Sequence, residues 1–204
     1  MTQVETRRHG FWDSPWFLGT VLVLTVAQLA VAEYVPGIDR FADKAFGARL
    51  LAYPVMMLFV PAVWWLVRRR RSGAAGTSHP PYVAFGLIGI PFLVDVTGNS
   101  LDLYDTVGWW DDFNHFANWV FLCLGLALVV APRLRPPWVL ITLVTGFGCV
   151  LALGWELGEW YTFIRHGTEL DTAYEDTLFD MTLGTLGSFV AGLLVLRLGR
   201  RPAT

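Results

Sequence analysis

Long apolar stretches recur along this chain, and they constrain its fold more than any other feature. Each runs for roughly 20 residues, enough for a helix to cross about 30 Å of hydrocarbon. Of the 204 residues, 54% are hydrophobic and 16% are charged, and the mean hydropathy is +0.48. This composition excludes an ordinary soluble domain. Alternating segments of about ten residues, typical of outer-membrane barrels, are absent from the sequence. We therefore predict an all-α, polytopic membrane helical bundle.

Six transmembrane helices are predicted, separated by loops rich in proline, glycine and arginine. The low-complexity linker from Arg68 to Pro81 is too short to divide the chain, so residues 1–204 are interpreted as one integral membrane domain. No cleavable signal peptide is expected, because the polar start precedes a full-length span without a small-residue cleavage site. The predicted spans are residues 16–35, 47–67, 82–101, 113–131, 138–162 and 178–198.

The basic residues predict the orientation of the bundle. Of the 15 lysines and arginines, 11 fall on one side, which the positive-inside rule makes cytoplasmic. Both termini are then cytoplasmic, and most acidic residues lie outside or in the outer halves of the spans. The run RRRR beside a span is interpreted as a topology determinant, and no nucleic-acid partner is expected. The 11 residues are Arg7, Arg8, Arg68, Arg69, Arg70, Arg71, Arg133, Arg135, Arg197, Arg200 and Arg201.

A histidine and two aspartates open the fourth predicted span, in the segment GWWDDFNHFANW. Asp111 precedes His115 by four residues and Asp112 precedes it by three, so both lie one helical turn away. Either carboxylate can orient the imidazole, and all three side chains can reach one metal ion. Charged groups near lipid are costly, so their convergence with acids from other spans indicates a shared site.

Further carboxylates lie at the C-terminal end of the fifth span and at the N-terminal end of the sixth. Glu156 and Glu159 lie on nearly one helix face in GWELGEW, and Asp176 and Asp180 are four residues apart in AYEDTLFDMTLGTLGS. Asp176 is suited to cap the N-terminus of its helix, which leaves Asp180, a turn deeper, unexplained. Close helix packing is expected at the neighbouring glycines, Gly154, Gly158, Gly184 and Gly187.

The third span, IPFLVDVTGNSLDLYD, contributes weaker candidates. Asp95 and Asn99 are four residues apart and share one helix face. Two interpretations stay open for Asp95: a part in the site, or pairing within the bundle. Tryptophans near the cluster fit a membrane-interface belt and also an aromatic wall for an apolar substrate. The expected substrate contacts are Asp95, Asn99, Asp112, Trp119 and Trp155.

The motifs DDFNHF, ELGEW and EDTLFDM resemble those of the YjdF-like family of small bacterial integral membrane proteins. The likeness covers roughly residues 80–190, and a looser similarity to VanZ-like membrane proteins rests on the same order of motifs. It implies a multi-pass protein of the bacterial cytoplasmic membrane and no defined reaction. Two departures add negative charge: Asp112, where some relatives are expected to have a basic residue, and Glu175, where an aromatic is expected. The matching polar positions are Asp111, His115, Glu156, Glu159, Asp176, Thr177 and Asp180.

The favoured hypothesis is a metal-assisted enzyme with its site near the outer leaflet, hydrolysing a lipid or lipid-linked substrate. Oxygen-rich ligation with one imidazole suits a divalent cation such as Mg²⁺, Mn²⁺, Ca²⁺ or Zn²⁺. The predicted catalytic residues are Glu156, Glu159 and His115. The predicted metal ligands are Asp111, His115, Asp176 and Asp180.

Two other functions stay open at this stage. One is a cation or small-ligand binding or transport protein, for which six spans suffice, particularly in an oligomer. Against transport, the acids lie at one end of the spans, and the sequence shows no inverted repeat. The other is a structural role, in which the carboxylates and His115 form a hydrogen-bonded network that holds the bundle together.

Overall fold

Six long helices form the body of the protein in a computed structural model that describes residues 10–42, 44–71, 79–162, 164–166, 170 and 172–198. All six are long and apolar enough to cross a membrane. No strand occurs among the described residues, and the six-span all-α prediction is confirmed. Predictions for the termini and for residues 72–78 of the linker lie outside the described ranges. The spans are α1 (Pro15–Tyr34), α2 (Phe46–Arg71), α3 (Tyr82–Ser100), α5 (Trp110–Val130), α6 (Pro137–Thr162) and α7 (Ala173–Leu198), and a short helix, α4 (Leu103–Thr106), follows α3.

The helix of the last span begins before the apolar segment that the hydrophobic pattern predicts. Helix α7 starts at Ala173 rather than near residue 178, and Glu175 and Asp176 occupy its first turn. Carboxylates are favourable at a helix N-terminus, because they face unpaired N–H groups and the positive end of the helix dipole. Polar residues therefore extend this helix beyond its apolar segment.

The spans form two groups of three helices. Phe17, Met57 and Val96 belong to a core shared by α1, α2 and α3, whereas Cys123 and Ala191 belong to a second core shared by α5, α6 and α7. Packing of α3 on α5 joins the two groups, and α5 also packs along α7. Helix α6 packs mainly on α7 and only lightly on α5. This arrangement leaves space between α3, α5 and α6.

Glycines set the close approach of α7 to α5. A Cβ atom at Gly187 would lie 2.4 Å from the Phe116 carbonyl oxygen, and one at Gly184 would lie 3.2 Å from the Trp119 ring. The packing expectation is therefore confirmed for both. It is wrong for Gly154 and Gly158 of α6, where a Cβ would have no neighbour within 4 Å among the described residues. A side chain at either position would enter open space.

Substitution of Gly187 by alanine is expected to destabilise the protein by about 1–3 kcal/mol. The new methyl group would meet a backbone oxygen, which moves only if α5 and α7 separate. Thermal unfolding in detergent micelles measures the effect. Gly146→Ala is the matched control, because a Cβ at Gly146 meets nothing within 4 Å. Equal unfolding temperatures for the two variants would contradict the proposed close contact.

The end of the bundle that holds the acidic clusters, here called the acidic end, is tied together by a lysine. Lys44 lies before α2, and its Nζ donates to Asp102 Oδ1 and Asp105 Oδ2, both at 2.6 Å. Burial lowers the pKa of Lys44, but these two carboxylates raise it above its ordinary value of 10.5 overall. The hydrogen bond from Lys44 in turn lowers the pKa of Asp102. The contribution of Lys44 to stability is thus present below pH 10.5 and is lost as the pH rises through the raised pKa.

Candidate functional site

His115 lies at the centre of the polar cluster, on the first turns of α5. It is buried, with 6% of its surface exposed. Its ring stacks on Trp119 at a centroid distance of 5.8 Å and an interplanar angle of 13°. The Trp119 indole is itself held, because its Nε1 donates to the Gly148 carbonyl oxygen at 3.0 Å. The plane of the imidazole is therefore defined by packing against a residue that α6 holds in place.

Three carboxylates from three helices surround this ring. His115 Nε2 lies 3.6 Å from Asp111 Oδ1, and Nδ1 lies 3.7 Å both from Glu156 Oε1 and from Asp180 Oδ1. These distances exceed those of ordinary hydrogen bonds. Two ligand atoms about 2.0–2.2 Å from a tetrahedral Zn²⁺ would lie roughly 3.3–3.6 Å apart. Each distance is close to this separation, but Asp111 approaches one ring nitrogen and the other two carboxylates approach the other.

The inner members of the cluster are almost completely buried. Glu156 is 5% exposed and Asp180 is 2% exposed. The Thr177 hydroxyl contacts the Glu156 carboxylate, yet Glu156 Oε1 has no hydrogen-bond partner among the described residues. A buried carboxylate oxygen without a partner is costly unless a proton or a cation compensates it. The geometry thus leaves a place for a positive charge beside Glu156.

The predicted site residues differ in how close they lie to His115. Two groups of side chains bring potential ligand atoms within 4.8 Å of one another: Asp111, His115 and Asp180, and His115, Glu156 and Glu159. Asp176 belongs to neither group and is exposed in the first turn of α7. Asp112 is also exposed. Four of the carboxylates expected at the site therefore converge on His115, and these two lie at its edge.

A cavity of about 310 Å³ opens beside His115, in the space between α3, α5 and α6. Of the five predicted substrate contacts, Trp119, Trp155 and Asp95 line it, whereas Asn99 and Asp112 do not. Both polar and apolar groups line the cavity. The polar lining comprises Asp95, Tyr104, Asp111, Asn114, His115, Asn118 and Glu159; the apolar lining includes Met56, Pro91, Phe92, Leu122, Val150 and Leu151.

Asp95 is the acceptor of a dense network on the far wall of this cavity. The Arg49 guanidinium donates to Asp95 Oδ2 at 2.8 Å, and the Tyr53 hydroxyl donates to the same oxygen. Asp95 Oδ1 accepts from Asn99 Nδ2 at 3.2 Å and from the Tyr104 hydroxyl at 3.3 Å. Asp95 is therefore paired within the bundle, the second of the two interpretations open from the sequence, although it also borders the cavity.

Tyr104, Arg49 and Tyr53 were not identified from the sequence. Burial, followed by the charge of Asp95, raises the pKa of Tyr104, so this phenol stays a neutral donor. Arg49 could have been identified as a partner for an acid, because it is among the few basic residues that the sequence places at the acidic end. The two tyrosines could not have been identified, since nothing in their local sequence pattern shows that α2 and α4 meet Asp95.

The six spans, with a buried cluster of acidic residues and one histidine at one end, define a polytopic membrane protein. The family model described as "Predicted membrane protein (DUF2238)" matches residues 17–201. The chain belongs to this family. No curated protein and no solved structure matches it significantly.

Proposed function

We propose that the protein is a membrane-embedded, metal-assisted enzyme that hydrolyses a lipid or lipid-linked substrate at the cluster around His115. One observation carries the proposal: Glu156 Oε1 is buried without a hydrogen-bond partner among the described residues, 3.7 Å from His115 Nδ1. Asp180 Oδ1 lies at the same distance from that nitrogen. A divalent cation held by Asp111, His115 and Asp180 would also compensate the neighbouring Glu156 carboxylate.

The donor set restricts the cation. One imidazole nitrogen with several carboxylate oxygens suits Mg²⁺, Mn²⁺, Ca²⁺ or Zn²⁺, and the described site residues include no thiolate to favour a softer ion. Asp111, His115 and Asp180, whose potential ligand atoms lie within 4.8 Å of one another, would hold it. When bound, it would supply Lewis-acid polarisation of water and of the substrate oxygen.

Glu159 is the proposed general base, because it lines the cavity beside this group. Its carboxylate takes a proton from the attacking water, whose oxygen forms a bond to the ester carbon or phosphorus. The bond to the leaving oxygen breaks, and Glu159 returns the proton to that oxygen. One water is consumed, and an acid and an alcohol are released.

The proposal includes the membrane and the orientation. We place the protein in a bacterial cytoplasmic membrane, with the termini inside and the cluster facing outward. Supporting this, Arg68, Arg69, Arg133, Arg135 and Arg197 all lie towards the end of the bundle opposite the acidic end. The motifs DDFNHF, ELGEW and EDTLFDM support the closer likeness to YjdF-like proteins.

Transport receives less support, because packed side chains lie beneath the cluster. Cys123 and Ala127 of α5 and Ala191 of α7 are 0% exposed, and Val144 of α6 is 4% exposed. Cys123 Sγ contacts Ser188 Oγ at 3.2 Å, which closes the space further. Within the described residues the cluster therefore meets a closed core on the side away from the acidic end.

Turnover of lipid esters and lipid phosphoesters by the purified protein tests the enzymatic proposal. We expect hydrolysis that stops after chelation and returns with a divalent cation. Glu159→Gln should lower turnover by about 10²-fold or more, since a general base contributes about 10²–10⁴-fold. Glu175→Gln, an exposed acid of α7, is the control and should keep full turnover. Hydrolysis that is insensitive to chelation, or unchanged turnover in Glu159→Gln, would refute the proposed mechanism.

A further inference from the structure

A second cavity lies at the end of the bundle opposite the acidic end, where α5 and α7 end and α6 begins. Its volume is about 470 Å³, within the range of roughly 300–1,000 Å³ that is typical of small-molecule sites. The described residues that line it include none of those predicted for the site around His115. We call this cavity the arginine cleft; its lining includes Arg135, Leu128, Leu140, Val195, Leu196 and Leu198.

The arginine cleft combines an apolar lining from the spans with one charged side chain from a loop. Leu128, Leu196 and Leu198 belong to segments that are apolar enough to cross a membrane, whereas Arg135 lies between α5 and α6. Trp138, in the first turn of α6, is 65% exposed, and tryptophan is enriched where a span meets the lipid headgroups. A phospholipid has the same order of polarity, with its chains beside the spans and its charge at their ends.

Arg135 is the charged side chain of this cleft. It is exposed, and no ion pair or hydrogen bond engages its guanidinium within the described part of the chain. Arg133, two residues earlier, donates instead to the Val129 carbonyl oxygen at 3.1 Å and does not line the cleft. An arginine is always charged, and its planar fork of N–H donors matches the oxygens of a phosphate. Arg135 is therefore available to pair with an anionic headgroup.

The charges around the cleft favour an anion. The sequence contains no aspartate or glutamate in residues 113–155 or 181–198, which include the parts of α5, α6 and α7 that form the cleft. Arg133 and Arg197 add positive charge at the same end of the bundle. Residues 199–204 follow α7 in the sequence and contain two more arginines and no acid, so their side chains cannot neutralise Arg135. An anionic lipid headgroup is attracted by all of these charges.

We propose that the arginine cleft binds an anionic glycerophospholipid, whose phosphate pairs with Arg135 while one acyl chain lies against Leu128, Leu196 and Leu198. The phosphate comes from a lipid rather than from a soluble anion, because most of the lining is apolar and belongs to the spans. A negative net charge is favoured, because a zwitterionic headgroup would bring a cation among several arginines. The site is independent of the proposed enzymatic function, since it lies at the opposite end of the bundle from His115.

Native mass spectrometry of the full chain in uncharged detergent micelles tests the headgroup and the source of the phosphate. Dioleoylphosphatidylglycerol is compared with dioleoylphosphatidylcholine, which has the same acyl chains, and with glycerol 3-phosphate, which has no chain. We expect the phosphatidylglycerol to bind about fivefold more tightly than the phosphatidylcholine, the factor that one arginine near an anionic lipid contributes. Equal binding of the two lipids would overturn the role of charge. Displacement of the phosphatidylglycerol by an equal concentration of glycerol 3-phosphate would overturn the lipid assignment.

Substitution of Arg135 locates the binding. Arg135→Gln should remove the preference for phosphatidylglycerol, whereas Arg135→Lys, which keeps the charge, should keep most of it. Arg197→Gln is the matched control, because Arg197 is exposed at the same end of the bundle but does not line the cleft. Thermal unfolding without lipid checks that these variants fold, as expected for exposed side chains. An unchanged preference in Arg135→Gln, or an equal loss in Arg197→Gln, would refute the site in favour of general attraction to the surface.

Two further results separate this proposal from the enzymatic one and from another occupant of the cleft. His115→Ala should keep the preference for phosphatidylglycerol, and its loss in that variant would place the lipid at the acidic end instead. A wild type that prefers phosphatidylglycerol but hydrolyses no lipid would refute the enzymatic proposal alone. A dimer whose formation excludes the lipid would identify a second copy of the chain as the occupant and overturn the lipid site.

Discussion

Replacement of His115 by alanine is expected to abolish the cation-dependent stabilisation that the proposed metal site would give. A ligand that binds only the folded state stabilises it by about 2.7 kcal/mol at a concentration of 100 Kd. His115 belongs to both groups of potential ligands, so its loss removes the one nitrogen that either group offers. Thermal unfolding after chelation, followed by titration of each cation, measures the shift, and elemental analysis of the purified protein measures the bound metal.

The controls separate a metal site from a structural network. His79→Ala removes a histidine near the opposite end of the bundle and should leave cation-dependent stabilisation intact. Asp180→Asn should reduce it, because Asp180 Oδ1 lies 3.7 Å from His115 Nδ1. If His115→Ala lowered stability equally with and without cations, and the wild type showed no cation-dependent shift, the structural alternative would be correct.

Replacement of Arg49 by methionine is expected to destabilise the protein by about 3–5 kcal/mol, the usual cost of removing one partner of a buried ion pair. Asp95 is 7% exposed and would remain in the bundle without its counter-charge. Adding Asp95→Asn should restore most of the lost stability, because the second substitution removes the uncompensated charge. Unfolding of the wild type, both single variants and the double variant gives the coupling between the two residues.

Arg40→Met is the matched control for the loss of one positive charge at the acidic end. Arg40 is exposed, lies 5.3 Å above the Phe41 ring, and should contribute little to stability. An equal loss in Arg40→Met and Arg49→Met would show that net charge, rather than the buried pair, is responsible. Failure of Asp95→Asn to rescue Arg49→Met would contradict the ion-pair explanation.

The sequence predicted the spans well because hydrophobic length is a local property. A run of about 20 apolar residues has few alternatives in a membrane, since every backbone polar group must be paired within the helix. Helix α7 begins before the predicted apolar span, because Glu175 and Asp176 break the hydrophobic pattern while favouring a helix N-terminus. Gly154 and Gly158 were misjudged for a different reason: spacing shows that two glycines share a face, but not what that face meets.

The amino-acid sequence by itself determined six apolar helices, the acidic end and the one-turn step from Asp111 to His115. These depend on composition and on the 3.6-residue period of a helix, which act within one segment. Only the tertiary structure decided that Glu156 and Asp180 reach the same imidazole, that Arg49 pairs with Asp95, and that a cavity opens beside α6. These features depend on which helices are neighbours, and side-chain packing between distant segments sets that choice.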